Sequence, residues 1–426
     1  MFKPIEFWEL PEIKTYQENK LREMLQYLYS NSKYYQNLFA KYQLKPVDFV
    51  SLNDLIKIPC TTKEDFAIHN TDFLCVSPSR IIDYSTTSGT TGLPVTVALT
   101  ENDLLRLAYN EEQSFLTAGC KSSDVVMLLL TLDRQFMAGM AYYLGIRKLG
   151  AAAVRSGVIS PQAQWENIKR FKPDVLVAVP SFIVKMLDYA TKHGINANHT
   201  SVKKVVCIGE PIRNDSFKYN ALSSKIVSKW NVELYSTYAS TEMQTAFTEC
   251  CHGSGGHLRP ELLIVEILND AGDPVPEGHA GEVTVTNLGI EGMPLLRYRT
   301  GDICTLHLEP CACGRNTPRL SPVTGRKNQM IKYKGTTFFP PAIFDALSMV
   351  NGINDYVVEV FNNELETEEV IIHVSVTGNI DAMEKQIEDA LRMRLRVVPT
   401  IHFTTSQYLQ TLRPAESRKP VMAIFR

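Results

Sequence analysis

The sequence predicts an α/β protein: a large N-terminal domain built on a mainly parallel sheet, followed by a small α+β domain. Three observations carry that expectation. Continuous apolar runs alternate with helix-like stretches over residues 81–235. From Leu262 the pattern changes to alternating strands separated by Asp270–Gly272 and Pro274–Gly278 turns, which suggests an antiparallel sheet or small barrel. Beyond about Gly325 strands and a helix mix in a third texture. The expected domains are therefore 1–325, with an antiparallel, barrel-like subdomain at about 262–325, and 326–426.

The elements follow in order. Leu21, Met24, Leu25, Leu28 and Tyr29 recur at three- and four-residue spacing, which predicts a helix over about Lys14–Tyr42. Ile81–Tyr84 reads as a short strand entering the loop Ser85–Pro94. Val125–Leu130 and Val175–Val179 are unbroken apolar runs, as expected of parallel strands buried on both faces. Helices are expected between them at Ala138–Leu149 and Ala163–Phe171, and Val205–Ile208 and Glu233–Tyr235 continue the strands. Leu262–Leu268, Gly281–Asn287 and Arg297–Leu306 supply the antiparallel part. Val357–Val360, Glu369–Val376 and the helix Met383–Leu395 then precede a tail read as polar.

Composition narrows the class. Lys plus Arg total 44 and Asp plus Glu 46, so a net charge of −2 gives no global field to recruit nucleic acid or anionic lipid. No apolar run approaches the roughly 18 residues of a membrane span. Glu6, Glu9 and Glu12 in the first residues argue against a signal peptide. Nine cysteines, an odd number, fit a reducing compartment, so a cytoplasmic enzyme is expected.

The loop YSTTSGTTGLP (Tyr84–Pro94) is the strongest local signal. Gly89 and Gly92 let the backbone turn its N–H groups inward, and Ser88, Thr90 and Thr91 add hydroxyl donors. Many donors and no negative charge suit a polyphosphate, yet the Gly-Lys-Ser/Thr of a Walker loop is missing. Further along lie Gly209–Glu210–Pro211, YSTYASTE at 235–242, RYRTGD at 297–302 and GRKNQMIKYKGTTFFP at 325–340. In this order the motifs resemble the adenylate-forming superfamily of acyl-CoA synthetases, nonribosomal adenylation domains and luciferases. The stretch PLLRYRTGDI, PCACGR and the later Gly-Arg look most like its phenylacetate–CoA ligase branch. The resemblance runs from about Tyr84 to the C-terminus.

The resemblance implies a two-step reaction. A carboxylate and ATP give an acyl-adenylate and pyrophosphate, and coenzyme A then displaces AMP to form a thioester. It places Tyr238 against adenine, with Ala239 and Ser240 beside it, Thr241 on the α-phosphate and Glu242 on Mg²⁺. Gly209, Glu210 and Pro211 match the segment passing beside the purine. Asp302 is expected to accept both ribose hydroxyls, with Arg326 on ribose or phosphate. Lys327 falls at the hinge about which the small domain moves, and Lys334 and Gly335 lie where the thioester forms. The adenylation lysine is best matched by Lys419, although Arg418 stands where the family has glycine and Pro420 follows; Arg418 is the alternative. The acyl pocket is expected at Gln135, Phe136, Met137, Ala138 and Gly139, facing Ser236 and Ala239, and suited to an aryl or short acyl group.

Cys250, Cys251, His252 and His257 cluster in ECCHGSGGH, and Cys311 and Cys313 lie in PCACGR; thiolates and imidazoles in fours are what zinc prefers. Matching the branch pattern residue by residue gives Cys250, His257, Cys311 and Cys313 as a structural zinc set, with Cys251 and His252 competing for the first place. The expected partners are a small carboxylic acid, ATP and coenzyme A, without nucleic acid or membrane, and a homodimer is left open. Two alternatives stay open as well. One is an adenylating enzyme that serves a carrier-protein thiol or another small molecule; the other is a catalytically weak nucleotide-binding protein.

Overall fold

The apolar runs form the centre of one sheet. Six strands lie in the order Ala152–Arg155, Val125–Leu128, Val175–Ala178, Lys204–Ile208, Glu233–Ser240 and Thr245–Thr248. Every pairing is parallel except the last. Side chains alternate across the pleat, so each run needs apolar cover on both faces. Leu176, Val205 and Cys207 pack with Trp165, Ile183, Met186 and Trp230 on one side. Val126, Leu128, Val177 and Val206 pack with Phe115, Tyr142 and Ile146 on the other. The computed structural model describes residues 4–87, 95–334, 336–362, 368–413 and 421–426.

Helices between the strands begin and end where capping chemistry allows. Pro161–Phe171 starts on Ser160, whose hydroxyl accepts from Ala163 N–H, with proline in the first turn. Met137–Leu149 stops at Gly150, which takes φ +81°. This helix lies hard against Glu101–Thr117: a Cβ on Gly145 would fall 2.3 Å from the Cβ of Glu111. Only glycine admits that approach, which leaves the Glu111 carboxyl fully enclosed and pushes its pKa up to about 8.

The structure departs from the sequence expectation at four places. The N-terminal helix starts earlier, at Leu10, and breaks at Ser32 into Leu10–Asn31 and Lys33–Tyr42. Ser32 is extended there and its hydroxyl caps the second helix through Tyr35 N–H, which periodicity alone does not reveal. The early strand is Asp83–Thr86 and pairs antiparallel with Thr96–Leu99 in a separate two-stranded sheet. The strand expected at Glu233–Tyr235 runs on to Ser240, through most of YSTYASTE. The tail read as polar contains Thr400–Phe403, the helix Ser406–Leu412 and the strand Ala423–Phe425.

The antiparallel texture becomes a sheet in the order Leu263–Leu268, Ala280–Asn287, Tyr298–His307, Arg319–Leu320 and Gly256–His257. It forms an open path, and Gly325–Arg326 also pairs with Tyr298–His307. Two compact units result. One comprises Met1–Tyr219, Ser223–Thr300 and Cys304–Pro322; the other comprises Asn220–Leu222, Gly301–Ile303 and Val323–Arg426. The second holds a four-stranded sheet, Thr400–Phe403, Glu368–Val376, Ile353–Asn362 and Ala423–Phe425. Its core joins Val358, Val360, Ile372 and Val374 to Ile343 and Leu347 of Pro340–Ser348, and to Ile387 and Leu391 of Ile380–Leu395. Among the described residues no helix is long and apolar enough to cross a membrane.

Candidate functional site

The strand Glu233–Ser240 delivers its motif to the carboxyl end of the parallel sheet, where open α/β sheets bind ligands. Register pairs Tyr238 with Phe247, Ala239 with Ala246 and Ser240 with Thr245. Between Ser240 and Thr245 the chain turns tightly, and Gln244 takes φ +49°. The Ser240 hydroxyl accepts from Met243 N–H at 3.2 Å, so it holds the turn that presents Thr241 and Glu242. Tyr238 is half-buried with its ring 6.0 Å from that of Phe247, and Ala239 is exposed. Glu242 is 9% exposed, and its Oε1 lies 3.8 Å from the Nζ of Lys63.

Lys63 was not expected from the sequence. It opens the helix Lys63–Ile68, whose capping residue Thr62 accepts from Asp65 N–H. The signal available in the sequence was the capping pattern Thr-x-x-Asp, which locates a helix start but not what faces it.

Gly209 ends the strand Lys204–Ile208 at φ +73°. Beside it the Glu210 carboxylate accepts from Ser181 N–H at 2.9 Å and from Ser181 Oγ at 2.8 Å, closing the start of the helix Pro180–Lys192. That helix has no side-chain cap of its own, so Glu210 fills the place.

In the expected acyl segment, Arg134 and Gln135 both take positive φ, at +58° and +51°. The Gln135 carbonyl accepts from Thr86 N–H at 3.0 Å. Phe136 precedes the helix half-buried, Met137 is buried, and Ala138 is half-buried. A Cβ on Gly139 would lie 2.1 Å from the Thr131 carbonyl oxygen, so this glycine lets the helix close on the loop. Ser236 donates its N–H to Glu249 Oε1 at 2.9 Å. Glu249 is buried and paired with Arg213 at 2.8 Å; burial pushes its pKa up, against the guanidinium.

In the second unit, strand pairing places Asp302 opposite Arg326, with Nε to Oδ1 at 3.0 Å. Asp302 is buried and Arg326 is exposed. Gly325 is sterically required, since a Cβ there would meet Phe339 Cγ at 2.1 Å. Lys327 opens a single 3-10 turn, Lys327–Gln329. Lys334 takes φ +46° at the turn between Ile331–Tyr333 and Thr336–Phe338, its ammonium 4.8 Å from the Tyr333 ring centroid.

Ser88, Gly89, Thr90, Thr91 and Gly92, together with Gly335, Arg418 and Lys419, lie outside the described residues. The ends of the segment bearing Lys419 are described. Arg413 donates through both terminal nitrogens to Asp355, at 2.8 and 2.6 Å, and through Nε to the Val421 carbonyl at 3.1 Å.

The thiol and imidazole residues do meet. One ligand atom from each of Cys250, His257, Cys311 and Cys313 falls within a 4.8 Å cluster, while Cys251 and His252 are exposed outside it. Cys250 Sγ lies 3.7 Å from Cys311 Sγ, and Cys313 Sγ 3.5 Å from His257 Nε2. A tetrahedral ion with bonds of about 2.3 Å to sulfur and about 2.05 Å to nitrogen requires edges of about 3.8 and 3.6 Å. These two edges match a tetrahedral ion, and all four donor atoms lie within 4.8 Å of one another, so the residue types and spacing suit a metal of that kind. His257 Nδ1 is 3.2 Å from the Thr317 hydroxyl, which orients the ring and leaves Nε2 toward the sulfurs. Burial, with Arg315, Arg259 and Arg319 nearby, lowers the His257 pKa to about 3, so the imidazole is neutral. Burial raises Cys250 to about 12. Burial also opposes ionisation of Cys313, but hydrogen bonds from Arg315, and from Cys311 and Cys250, together outweigh it and hold this thiol below its ordinary value.

Residues 44–291 match the family described as AMP-binding enzyme. The phenylacetate–coenzyme A ligase of Thermus thermophilus is 28% identical over 384 residues, covering 88% of this chain and 84% of that protein. The phenylacetate–coenzyme A ligase of Aromatoleum evansii is 26% identical over 419 residues, covering 94% and 92%. Among solved structures, 2-hydroxyisobutyryl-CoA ligase in its postadenylation state with 2-HIB-AMP superposes with a TM-score of 0.88 at 19% identity, covering 100% of this chain and 94% of that one.

Proposed function

The chain belongs to the AMP-binding enzymes, and on that premise we propose that it is an ATP-dependent acid–coenzyme A ligase acting on an aryl acid such as phenylacetate. The observation carrying this reading is the extent of the similarity to phenylacetate–coenzyme A ligases, which runs through nearly the whole chain.

In the first half-reaction the acid carboxylate attacks the α-phosphorus of ATP and pyrophosphate leaves. Thr241 hydrogen-bonds the α-phosphate, and Tyr238 stacks on adenine beside Ala239 and Ser240. Asp302 accepts the ribose hydroxyls, with Arg326 beside it. Gly209 and Pro211 border the purine; Glu210 contributes through its backbone, since its carboxylate is held by Ser181. Ser88, Gly89, Thr90, Thr91 and Gly92 donate to the departing phosphates. Lys419 neutralises charge developing between carboxylate and phosphate. Glu242 is the carboxylate suited to Mg²⁺, which supplies charge neutralisation on the phosphates when bound.

In the second half-reaction the thiol of coenzyme A attacks the acyl carbonyl and AMP leaves. Lys327 serves as the hinge of the mobile C-terminal domain, and Lys334 and Gly335 face the thiol. Phe136, Met137, Gly139, Ser236 and Ala239 border the acyl group. Cys250, His257, Cys311 and Cys313 would hold a structural zinc, since four protein donors would fill a tetrahedral ion's coordination.

ATP–pyrophosphate exchange over a panel of aryl and short aliphatic acids, with Mg²⁺ and without coenzyme A, tests the reading. Exchange with an aryl acid, followed by thioester formation on adding coenzyme A, is expected. Exchange with no thioester would redirect the acyl group to a carrier-protein thiol. No exchange with intact ATP binding would reduce the chain to a nucleotide-binding protein.

A further inference from the structure

The metal-ligand cluster is covered by the start of the chain. Glu6 lies buried in the 3-10 turn Ile5–Phe7 and divides its carboxylate between two arginines. Oε1 accepts from Arg315 Nε at 2.8 Å, and Oε2 from Arg259 Nη1. Arg315 in turn donates from Nη1 to the Cys313 sulfur at 3.6 Å, and its guanidinium lies 5.3 Å from the Phe7 ring centroid. Asn316 completes the contact: its N–H donates to the Glu6 carbonyl at 2.9 Å, and its side chain to the Trp8 carbonyl at 2.9 Å.

Resting on the zinc reading above, we propose that Glu6 and Arg315 are positioning residues for the metal centre, and that the N-terminal turn is a clasp whose docking is coupled to metal occupancy. Charge explains the arrangement. Three thiolates and a neutral imidazole around a divalent ion leave one net negative charge in a largely buried site. The Arg315 guanidinium supplies the opposite charge and a donor to one of the sulfurs. Arg315 is aimed at that sulfur by Glu6, which also neutralises Arg259, an arginine with no exposed surface. The short stretch Cys311–Thr317 thus carries two of the candidate ligands, the residue orienting a third, and two of the three residues that grip the N-terminal turn. Whatever the metal adds to the order of this stretch, the clasp gains by the same factor, and the reverse holds too.

The test uses the full chain. Elemental analysis should find about one zinc per chain; no zinc would overturn the zinc reading and this proposal with it. Competition against a chromophoric chelator should show zinc held about 10- to 100-fold more weakly in Glu6→Gln and Arg315→Met. Glu6→Asp should recover part of the loss. Unchanged affinity in both variants, with zinc bound one to one, would overturn the proposal while leaving the zinc site standing. The wild-type chain supplies an independent readout: on removing zinc, hydrogen exchange should rise at residues 5–8 and 311–317 and stay slow at Val125–Leu128. Unchanged protection of residues 5–8, or uniform loss across the chain, would exclude a local clasp.

Discussion

Lys63 and Glu242 face each other across 3.8 Å, one from the first turn of a helix and the other from the turn that closes the central sheet. The ammonium lies beside the carboxylate proposed above for Mg²⁺, so the two cations would compete for it. Glu242→Gln should raise the Mg²⁺ concentration needed for half-maximal pyrophosphate exchange by about tenfold or more, the scale of 1.4 kcal/mol. Lys63→Met should lower that concentration several-fold, because it removes an ammonium 3.8 Å from the carboxylate, an attraction of about 1 kcal/mol in water-like surroundings that a bound metal would have to displace. Shifts in the same direction for both variants would contradict the competition.

The Asp302 carboxylate is buried and steered by Arg326 at 3.0 Å. Hydrogen bonds to a charged group contribute about 1.5–3 kcal/mol each, so losing even one of the two ribose bonds in Asp302→Ala should weaken ATP binding by at least about one to two orders of magnitude. Titration calorimetry with ATP reads this directly, and an unchanged dissociation constant would remove Asp302 from the ribose.

Glu111 should make stability fall as pH rises. Its folded pKa of about 8 lies above the usual carboxylate value, so the folded chain keeps a proton that the unfolded chain has released. The contribution is complete below the unfolded value of 4.5 and is lost as pH climbs through about 8. The slope is at most about 1.4 kcal/mol per pH unit. Urea unfolding from pH 5 to 9 should show that decline in the wild type and a flatter profile in Glu111→Gln.

Lys419→Ala should depress acyl-adenylate formation by orders of magnitude while sparing thioester formation from supplied adenylate. Arg413→Ala should repeat that pattern more weakly, because Arg413 joins Asp355 to Val421 at the base of the same segment. Single-turnover assays of each half-reaction separate the two steps, and equal losses in both would contradict the assignment.

Local chemistry made much of this molecule legible. Val125–Leu128 and Val175–Ala178 are unbroken apolar runs because both faces of the sheet are covered, and that pattern survives in one dimension. The cluster of Cys250, His257, Cys311 and Cys313 was legible for a similar reason: two short Cys/His runs advertise metal-ligand chemistry, and the family pattern chose among them. Contacts set by distant partners were not. The strand Ala423–Phe425 exists because it pairs in parallel with Val358–Val360, and nothing within it announces that. The pairing of Glu6 with Arg315 spans 309 residues, and Lys63 reaches Glu242 only once the sheet is built. Ser32 hid in a helical pattern because a single capping hydroxyl outweighs the periodicity around it.

The closure at Arg413 has a consequence for reach. Lys419 is two residues from Val421, so about 7 Å of extended backbone at most separates it from a carbonyl that Arg413 holds. On the role proposed above, that covalent bound limits how far from Val421 the ammonium could act. On that proposal adenylation should depend on chain length as well as on residue type. Lengthening the stretch between Arg413 and Val421 would dilute the lysine even though every side chain in the protein stayed the same.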